Sequence, residues 1–546
     1  MATKSKSRAK KKSAQKSKTR KPVAIAKGLK KQKIDTLKVF NPRTAEVIDE
    51  VPQTGLKEVK EIHKRLTDGQ VQWNALGLKK RQKMVLKIRD WLLENIEDVA
   101  ETIAKDNGKS TTEAIIAEVY PVIDLIHHFA RKSTDYLSDE QIPLGNPLLA
   151  NKKSFLSYEG RGPILVISPW NYPFSIPMGE IVFALIAGNS VLLKASSETP
   201  LVGLKMLEVI RAAGIPSYAF EIVTGPGRTL GEEILNYRWA HISFTGSVGI
   251  GKHVMKRAAD FLTPVKMELG GKDPMIVCSD ADLERAANAA IWGAFTNAGQ
   301  TCASVERVYV MNDVADEFTR LVVEKTRKLR SYLDSPDEFE IGPMTVLSQY
   351  EIVKKHIREA QLKAKIAVGG LPEKRTTGWY IPATVITDVN HSMNFMKEET
   401  FGPTLPIMRV NSEEEAIKLA NDSDFGLTAS VFTKSNKKGK AIARQIKAGS
   451  VCVNDCLYSH GLKETPWMGL KDSGFGIAHS KWGIEEMAQR KHINYDIMPT
   501  KRNLWWYPYS KDLHESMKGA ARFSAKRSLF GLFKVMKMVK KMFTSF

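Results

Sequence analysis

The fold class follows from residues 163–196, PILVISPWNYPFSIPMGEIVFALIAGNSVLLKAS. Two short apolar segments, PILVIS and SVLLK, are bounded by turn residues, which is typical of strands buried on both faces of a sheet. Between them, GEIVFALIAG is typical of a buried helix. A strand, a turn rich in Pro and Asn, a helix and a second strand make a βαβ unit, and this unit predicts a parallel sheet.

The same alternation continues along the chain. LVGLKMLEVIRAAG, FEIVTG and HISFTGS extend the first series, and KDPMIVCSD (272–280) with VERVYVM (305–311) begins a second one. The sequence therefore predicts two α/β domains. Upstream, VFNPRTAEVIDEVPQTG (39–55) predicts a short hairpin, and helical patterns cover 77–105 and 111–138.

The charge is concentrated at the two ends of the chain. The net charge is +22, but residues 1–33 hold 14 Lys or Arg and no acid, and residues 501–546 hold 11 with two acids. The body between them is therefore close to neutral. The Lys- and Ser-rich segment 1–33 lacks the apolar residues that a folded core needs, so it predicts a disordered basic tail. It also lacks the apolar region of a secretory signal, which favours a cytoplasmic protein.

The C-terminal extension 501–546 combines aromatic residues with positive charge. LWWYPYS (504–510) is suited to a membrane interface or to packing on a protein partner. SLFGLFKVMKMVKKMFTSF (528–546) predicts a basic amphipathic helix on an anionic membrane surface, with packing on protein and disorder as the alternatives. Binding to nucleic acid is disfavoured, because no aromatic residues are interleaved with the N-terminal lysines.

The four cysteines are Cys278, Cys302, Cys452 and Cys456. They are too few for a disulfide framework, which indicates a reducing compartment. Cys452, Cys456 and His460 follow one another at intervals of four, but no second pair of ligands has a matching spacing. We therefore expect no metal site.

Five motifs carry polar or reactive residues next to predicted strands: SPWNYPF (168–174), FTGSVGIGK (244–252), MELGGKDP (267–274), GQTCASVERV (299–308) and KEETFGPTLPI (397–407). Each motif alone has an ordinary structural explanation, such as a turn or a packed cysteine. In this order, and with Cys302 placed 34 residues after Glu268, they closely resemble the NAD(P)-dependent aldehyde dehydrogenase superfamily. The resemblance covers about residues 40–497.

The resemblance implies an aldehyde dehydrogenase-like α/β fold. A Rossmann-type cofactor-binding domain would comprise residues 34–142 and 161–269, and an α/β catalytic domain residues 270–470. A small β oligomerisation sheet would comprise 143–160 and 485–500, which implies a homodimer or homotetramer.

The resemblance also assigns the chemistry. Cys302 would be the nucleophile that forms a thiohemiacetal and then a thioester. The Asn171 side chain and the backbone N–H of Cys302 would stabilise the oxyanion. Glu268 would be the general base for hydrolysis, and its presence favours release of a free acid over transfer to coenzyme A.

The residues that match the family's cofactor site are Trp170, Lys194, Ser197, Gly231, Phe244, Gly246, Ser247, Leu269, Glu399 and Phe401. Many NAD-preferring relatives have a glutamate where this chain has Ser197. A hydroxyl does not repel a 2′-phosphate, so we expect NADP or dual use. Many relatives also have a lysine where this chain has Glu180.

The substrate is expected to be a small-molecule hydrophobic aldehyde. The segment 119–129, Trp292 and Phe295, and the region near Leu457 would line its pocket, and they are largely apolar. Two alternatives stay open at this point. One is a semialdehyde dehydrogenase, and the other is a membrane- or nucleic-acid-associated binding protein that retains the fold without the activity.

Overall fold

The computed structural model of the protein describes residues 35–372, 377–498, 503 and 505–526, together with 533, 536 and 540. The predicted basic tail 1–33 and most of the predicted amphipathic helix 528–546 lie outside these residues. None of the helices in the described part of the chain is long and apolar enough to cross a membrane.

The elements before the first parallel sheet are a hairpin, a group of helices and an antiparallel pair. In chain order they are β1 (Thr36–Phe40), β2 (Val47–Pro52), α1 (Leu56–Ala75), α2 (Leu78–Glu94), α3 (Ile96–Asn107), α4 (Thr111–Ala114), α5 (Tyr120–Tyr136), β3 (Glu140–Ile142) and β4 (Lys152–Gly160). The predicted hairpin is confirmed. The predicted helical stretch 77–105 is two helices, because the chain leaves helical geometry at Asn95. A π-helical turn, Ile115–Val119, joins α4 to α5.

The first α/β unit follows. Its elements are β5 (Pro163–Ile167), α6 (Ser175–Ala187), β6 (Ser190–Lys194), α7 (Pro200–Ala212), β7 (Phe220–Val223), α8 (Glu232–Ile234), β8 (His241–Thr245), α9 (Val248–Ala259) and β9 (Val265–Glu268). The predicted βαβ unit is confirmed. Every residue of β6 is buried, and nearly every residue of α6 is buried, because helices cover the sheet on both faces. Gly188 ends α6 with a φ of +100°, which glycine adopts without steric cost.

The second α/β unit and the C-terminal elements complete the described chain. They are β10 (Asp273–Val277), α10 (Leu283–Phe295), β11 (Val305–Met311), α11 (Ala315–Thr326), α12 (Leu347–Lys363), β12 (Lys365–Val368), β13 (Thr384–Thr387), β14 (Thr404–Val410), α13 (Glu413–Asn421), β15 (Phe425–Gly426), β16 (Thr428–Phe432), α14 (Asn436–Ala443), β17 (Ser450–Val453), β18 (Leu470–Lys471), β19 (Gly474–Phe475), α15 (Ser480–Glu486), β20 (Ala488–Asp496) and α16 (Lys511–Lys526).

Two mostly parallel sheets organise the molecule. The first has the strand order β19-β9-β8-β5-β6-β7, and the second has the order β12-β13-β14-β11-β10-β16-β17. In the first sheet, Ile167 pairs with Phe244, and Thr245 pairs with Glu268. The carboxyl ends of β5, β8 and β9 therefore meet at one edge, which is where open α/β sheets place their ligands.

A third sheet, with the order β20-β4-β3, is antiparallel. Its hairpin is formed by β3 and β4, so it begins at Glu140, slightly before the segment 143–160. β20 pairs with β4 along nine residues, from Ala488 opposite Gly160 to Asp496 opposite Lys152. The domain boundaries and the role of this sheet in oligomerisation remain predictions.

Candidate active site

The residues of the sequence motifs converge between the two parallel sheets. Asn171 follows β5, Glu268 ends β9, and Gly270 and Gly271 connect β9 to β10. Cys302 precedes β11, and Glu399 and Phe401 precede β14. Cys302, Glu399 and Phe401 therefore lie at the amino ends of their strands. The sequence placed the motifs next to strands without deciding at which end of each strand they lie.

The two glycines of the MELGGKDP motif allow this convergence. A Cβ atom on Gly271 would lie 2.2 Å from the carbonyl oxygen of Cys302. A Cβ atom on Gly270 would lie 2.5 Å from the carboxylate of Glu399. Only glycine therefore lets the β9–β10 connection contact both the nucleophile loop and the Glu399 loop.

The loop that carries Cys302 has an unusual backbone. Asn297, Ala298 and Gly299 are consecutive residues with φ values of 49°, 53° and 72°. Two of them are not glycine, so the conformation is strained and must be held by its surroundings. Glu113 provides part of this support, because its carboxylate accepts hydrogen bonds from the backbone N–H of Asn297 and from the Thr296 hydroxyl.

The Asn171 side chain lies beside this loop. It is buried, and its Nδ2 donates to the carbonyl of Gln300 at 3.0 Å. The Asn171 carbonyl accepts bonds from Lys109 Nζ and Asn297 Nδ2, both at 2.9 Å. These contacts fix Asn171 beside the Cys302 loop, and among the described residues the second N–H of its amide has no acceptor, so it can donate to a substrate.

Cys302 is half-buried and carries a neutral thiol at rest. Burial raises the pKa of its thiol, and the carboxylates of Asp273, Glu268 and Glu399 raise it further. A thiol of this kind reacts only when a base removes its proton.

Glu268 has the properties of such a base. Its side chain is buried, and burial raises the pKa of its carboxyl group from 4.5 to about 8. Trp467 Nε1 donates to Glu268 Oε2 at 3.0 Å. The other oxygen, Oε1, is buried and accepts no hydrogen bond from the described residues. A carboxyl group with a pKa near the operating pH is suited to general base catalysis.

Glu180 forms a buried ion pair with Lys266 instead of standing alone. Lys266 Nζ contacts Glu180 Oε2, which also accepts from the Ser243 hydroxyl at 2.9 Å. Lys266 precedes Glu268 by two residues on β9, so both side chains leave the same face of the strand. From the sequence we knew only that Glu180 stands where many relatives have a lysine. The structure shows that Lys266, a lysine of β9, pairs with this glutamate.

The proposed cofactor residues form two groups. In the first, the rings of Trp170 and Phe401 meet edge-on with centroids 5.4 Å apart, and Glu399 accepts from the backbone N–H of Gly271 at 2.9 Å. Burial and the nearby Glu306 raise the pKa of Glu399 to about 8.

Glu306 holds the loop that carries Glu399 and Phe401. Its two carboxylate oxygens accept the backbone N–H groups of Thr400 and Phe401, each at 2.8 Å. Lys272 neutralises Glu306 at 2.6 Å, with both side chains buried. Glu306 lies in the segment VERV, and Lys272 is the first residue of KDP. Their roles depend on long-range contacts that no local sequence pattern indicates.

The second group lies along the edge of the first sheet. Lys194 ends β6, and its Nζ donates to the carbonyl of Ala195 at 2.9 Å. Burial lowers the pKa of Lys194 to about 8. Ser197 is partly exposed and stands 3.5 Å from the carboxylate of Glu198.

Ser247 is the N-cap of α9, and its side chain caps no N–H of the helix. The backbone N–H groups in the first turn of α9 are therefore not capped by Ser247, and such groups can bind an anion. The backbone N–H of Gly246 is already used, because it donates to the carbonyl of Glu268 at 3.1 Å. Phe244 and Leu269 pack against Gly251 of α9, while nothing lies near the Cβ position of Gly231. Cationic, hydroxyl and aromatic groups of this kind fit a dinucleotide.

A cavity of about 890 Å³ opens beside Cys302. Its lining confirms the predicted segment 119–129, Trp292, Phe295 and Leu457, and adds Trp467, His460 and His479. The three lysine and arginine side chains in this lining are each paired with an acid: Lys325 with Glu284, Arg330 with Glu338 and Glu340, and Lys463 with Asp124. The cavity therefore favours an apolar guest over an anionic one.

The side chains of the Cys452, Cys456 and His460 series make contacts of other kinds. The Cys456 thiol is buried and donates to the carbonyl of Ala289 at 3.2 Å. His460 faces Trp467 and His479. Within the described residues no group of three or more His, Cys, Asp or Glu side chains could hold a metal ion.

Comparisons with known proteins agree with this geometry. Residues 29–493 match the model of the aldehyde dehydrogenase family. The chain is 37% identical over 453 residues to a 4,4'-diapolycopene aldehyde oxidase of Methylomonas sp, covering 83% of this chain and 84% of that protein. It is 34% identical over 469 residues to an NADP-dependent glyceraldehyde-3-phosphate dehydrogenase of Streptococcus equinus, covering 85% of this chain and 96% of that protein.

The fold also matches solved structures. An aldehyde dehydrogenase from Bacillus cereus, solved as an NAD+ complex, superposes with a TM-score of 0.81 at 29% identity. The match covers 85% of this chain and 94% of the other.

Proposed function

Since the chain belongs to the aldehyde dehydrogenase family, we propose that it oxidises hydrophobic aldehydes to carboxylic acids through a thioester on Cys302. It is an NAD(P)-dependent oxidoreductase that acts on aldehydes. The observation that carries the proposal is the half-buried thiol of Cys302, which lines an apolar cavity and has near it a buried carboxyl group with a raised pKa, Glu268, and a buried amide donor, Asn171.

The chain's residues divide the reaction into two halves. Glu268, whose pKa is about 8, takes the thiol proton of Cys302, and the sulfur adds to the aldehyde carbon to give a thiohemiacetal. The free N–H of Asn171 stabilises the oxyanion of this adduct. A nicotinamide cofactor, when bound, would supply the hydride acceptor, and Cys302 would then hold the acyl group as a thioester.

Water completes the reaction. Once the proton taken from Cys302 has passed to solvent, Glu268 removes a proton from a water molecule, whose oxygen attacks the thioester carbon. The carbon–sulfur bond breaks, the carboxylic acid leaves, and the Cys302 thiolate takes the proton back from Glu268. The burial of Glu268 strengthens each of these electrostatic contacts.

The cofactor is held by residues that suit its parts. Trp170, Phe401 and Glu399 would hold the nicotinamide riboside, and Lys194 and Ser197 the adenosine ribose. The N-terminus of α9 at Ser247, with Gly246, would receive the pyrophosphate, and Gly231, Phe244 and Leu269 would complete the site. Because Ser197 brings no negative charge, we favour NADP or dual use.

The experiment that tests this proposal measures cofactor reduction. Purified protein is assayed with NAD and NADP separately, against aldehydes from acetaldehyde to dodecanal, succinic semialdehyde, and the diapolycopene aldehyde named for one relative. We expect kcat/KM to rise with chain length, and Cys302→Ala to abolish turnover. Activity that survives in Cys302→Ala would refute the mechanism, and a preference for succinic semialdehyde would refute the apolar substrate.

We also propose that the C-terminal extension binds an anionic membrane surface. Trp505, Trp506, Tyr507 and Tyr509 are 45–80% exposed. In α16 the apolar side chains of Leu513 and Phe523 pack with Ala520 against Leu148, which leaves the basic residues Lys511, Lys518, Arg522 and Lys526 exposed. Exposed tryptophan and tyrosine next to lysine are typical of membrane interfaces.

Vesicle flotation tests this second proposal. Full-length protein should float with vesicles of 30% phosphatidylserine, and high salt should release it. The triple substitution Lys511→Glu, Lys518→Glu and Arg522→Glu should prevent flotation without loss of activity. Equal flotation of wild type and variant would refute the proposal. Concentration-dependent dimerisation that is lost in Trp506→Ser would assign the aromatic residues to a second copy of the chain.

A further inference from the structure

The indole of Trp467 connects the base to the nucleophile. Its Nε1 donates to Glu268 Oε2 at 3.0 Å. Its ring belongs to a buried apolar cluster with Ala303 and Ala478, against which Cys302 packs. The same ring lines the substrate cavity. One side chain therefore bonds to the base, belongs to the cluster against which the nucleophile packs, and lines the space for the substrate.

The surroundings of Trp467 fix the direction of this N–H. Its backbone N–H and carbonyl both bond to Ala478, each at 2.8 Å. The His460 ring meets the indole edge-on at 5.0 Å, and the His479 ring lies 4.7 Å beyond His460. With only 2% of its surface exposed, the indole has no room for a second orientation.

We propose that Trp467 is a positioning residue for the general base, and that its N–H aims the Glu268 carboxylate and favours the ionised form. The inference rests on the proposed function, because it needs Glu268 to act as the base. An N–H bond to a carboxylate stabilises the charged form and fixes the oxygen that accepts it. Glu268 Oε1 then remains without a donor and is the oxygen that removes protons.

Burial and the neighbouring charged groups shift the pKa of Glu268 in different directions. Burial raises the pKa of Glu268 most, Lys266 lowers it, and the carboxylates of Glu180 and Glu486 raise it. The Cys302 thiol is neutral over the assay range. Burial lowers the pKa of His460 to about 3 and of His479 to about 4, so both rings stay neutral. Because Trp467 carries no charge, its substitution removes a hydrogen-bond donor to Glu268 and leaves the charge of the site unchanged.

The substitution Trp467→Phe removes this donor and keeps an aromatic ring. Loss of the hydrogen bond to Glu268 should shift the acidic limb of the pH profile of kcat to higher pH by about one unit, because Glu268 then ionises at higher pH. At pH 7 this lowers steady-state turnover by about tenfold. KM for the aldehyde should change little.

Trp292→Phe is the matched control. Trp292 lines the same cavity and is 45% exposed, so its substitution should change KM and leave the acidic limb in place. Circular dichroism and melting curves confirm that both variants fold.

Three outcomes are informative. A shift of the acidic limb in Trp467→Phe, but not in Trp292→Phe, supports the inference. An active Trp467→Phe with an unmoved limb, or an equal shift in both variants, would overturn it. A wild-type protein without Cys302-dependent turnover would instead refute the proposed function itself, so the two failures are distinguishable.

Discussion

The contact between Gly271 and the carbonyl of Cys302 makes a quantitative prediction. In Gly271→Ala the new Cβ would lie 2.2 Å from that oxygen, whereas real Cβ atoms essentially never approach closer than 3.0 Å. The atom that must move is backbone on the nucleophile loop, so the loop shifts by about 0.8 Å or more. A misplacement of about 1 Å at a reacting group costs about 100-fold in rate.

We therefore expect kcat/KM of Gly271→Ala to fall by about 100-fold and the free energy of unfolding to fall by about 1–3 kcal/mol from overpacking. The assay is cofactor reduction with the best aldehyde of the panel, together with urea unfolding. The control is Gly145→Ala, because nothing lies within 4 Å of a Cβ atom at that exposed position. Activity of Gly271→Ala within twofold of wild type would refute the close-approach argument.

Three further predictions concern charge. The pKa of Glu268 is about 8 in the folded protein, against an ordinary value of 4.5, so this residue makes the protein less stable as pH rises from 4.5 to 8. Glu268→Gln should therefore raise the free energy of unfolding at pH 8 by about 1–3 kcal/mol, and this gain should shrink toward pH 4.5. Melting curves that show no such gain would contradict this prediction. Burial raises the pKa of the Cys302 thiol, so its alkylation by iodoacetamide without cofactor should still accelerate above pH 9. Mass spectrometry follows the modified peptide, and a plateau below pH 8 would contradict the neutral thiol. Ser197→Glu should lower kcat/KM for NADP at least about tenfold and spare NAD, because a carboxylate repels the 2′-phosphate; equal losses with both cofactors would show that Ser197 does not contact the ribose.

The sequence was most informative where the physics is local. Strands such as PILVI and SVLLK are short, apolar and bounded by turn residues, and the structure forms them at 163–167 and 190–194. The helix between them also formed as predicted. Boundaries were less well predicted, since the break at Asn95 and the π-helical turn at 115–119 arise where helices meet their neighbours.

The candidate site was predicted only as a set of motifs. The order and spacing of the motifs around Asn171, Glu268 and Cys302 pointed to the chemistry through a family resemblance. Sequence alone did not identify Trp467, which comes 199 residues after Glu268 and reaches it by folding. It also did not identify Lys266 as the partner of Glu180, because the two lie on different elements.

The sequence by itself determined the alternation of strands and helices, because hydrophobic periodicity and turn residues act over a few positions. It also determined which side chains could carry the reaction. Only the tertiary structure decided the protonation of those side chains, since the pKa values of Glu268 and Cys302 depend mainly on burial among distant residues. It likewise decided the apolar cavity, in which each lysine and arginine of the lining is paired with an acid. Burial and long-range pairing are properties of the packed chain, and no local pattern contains them.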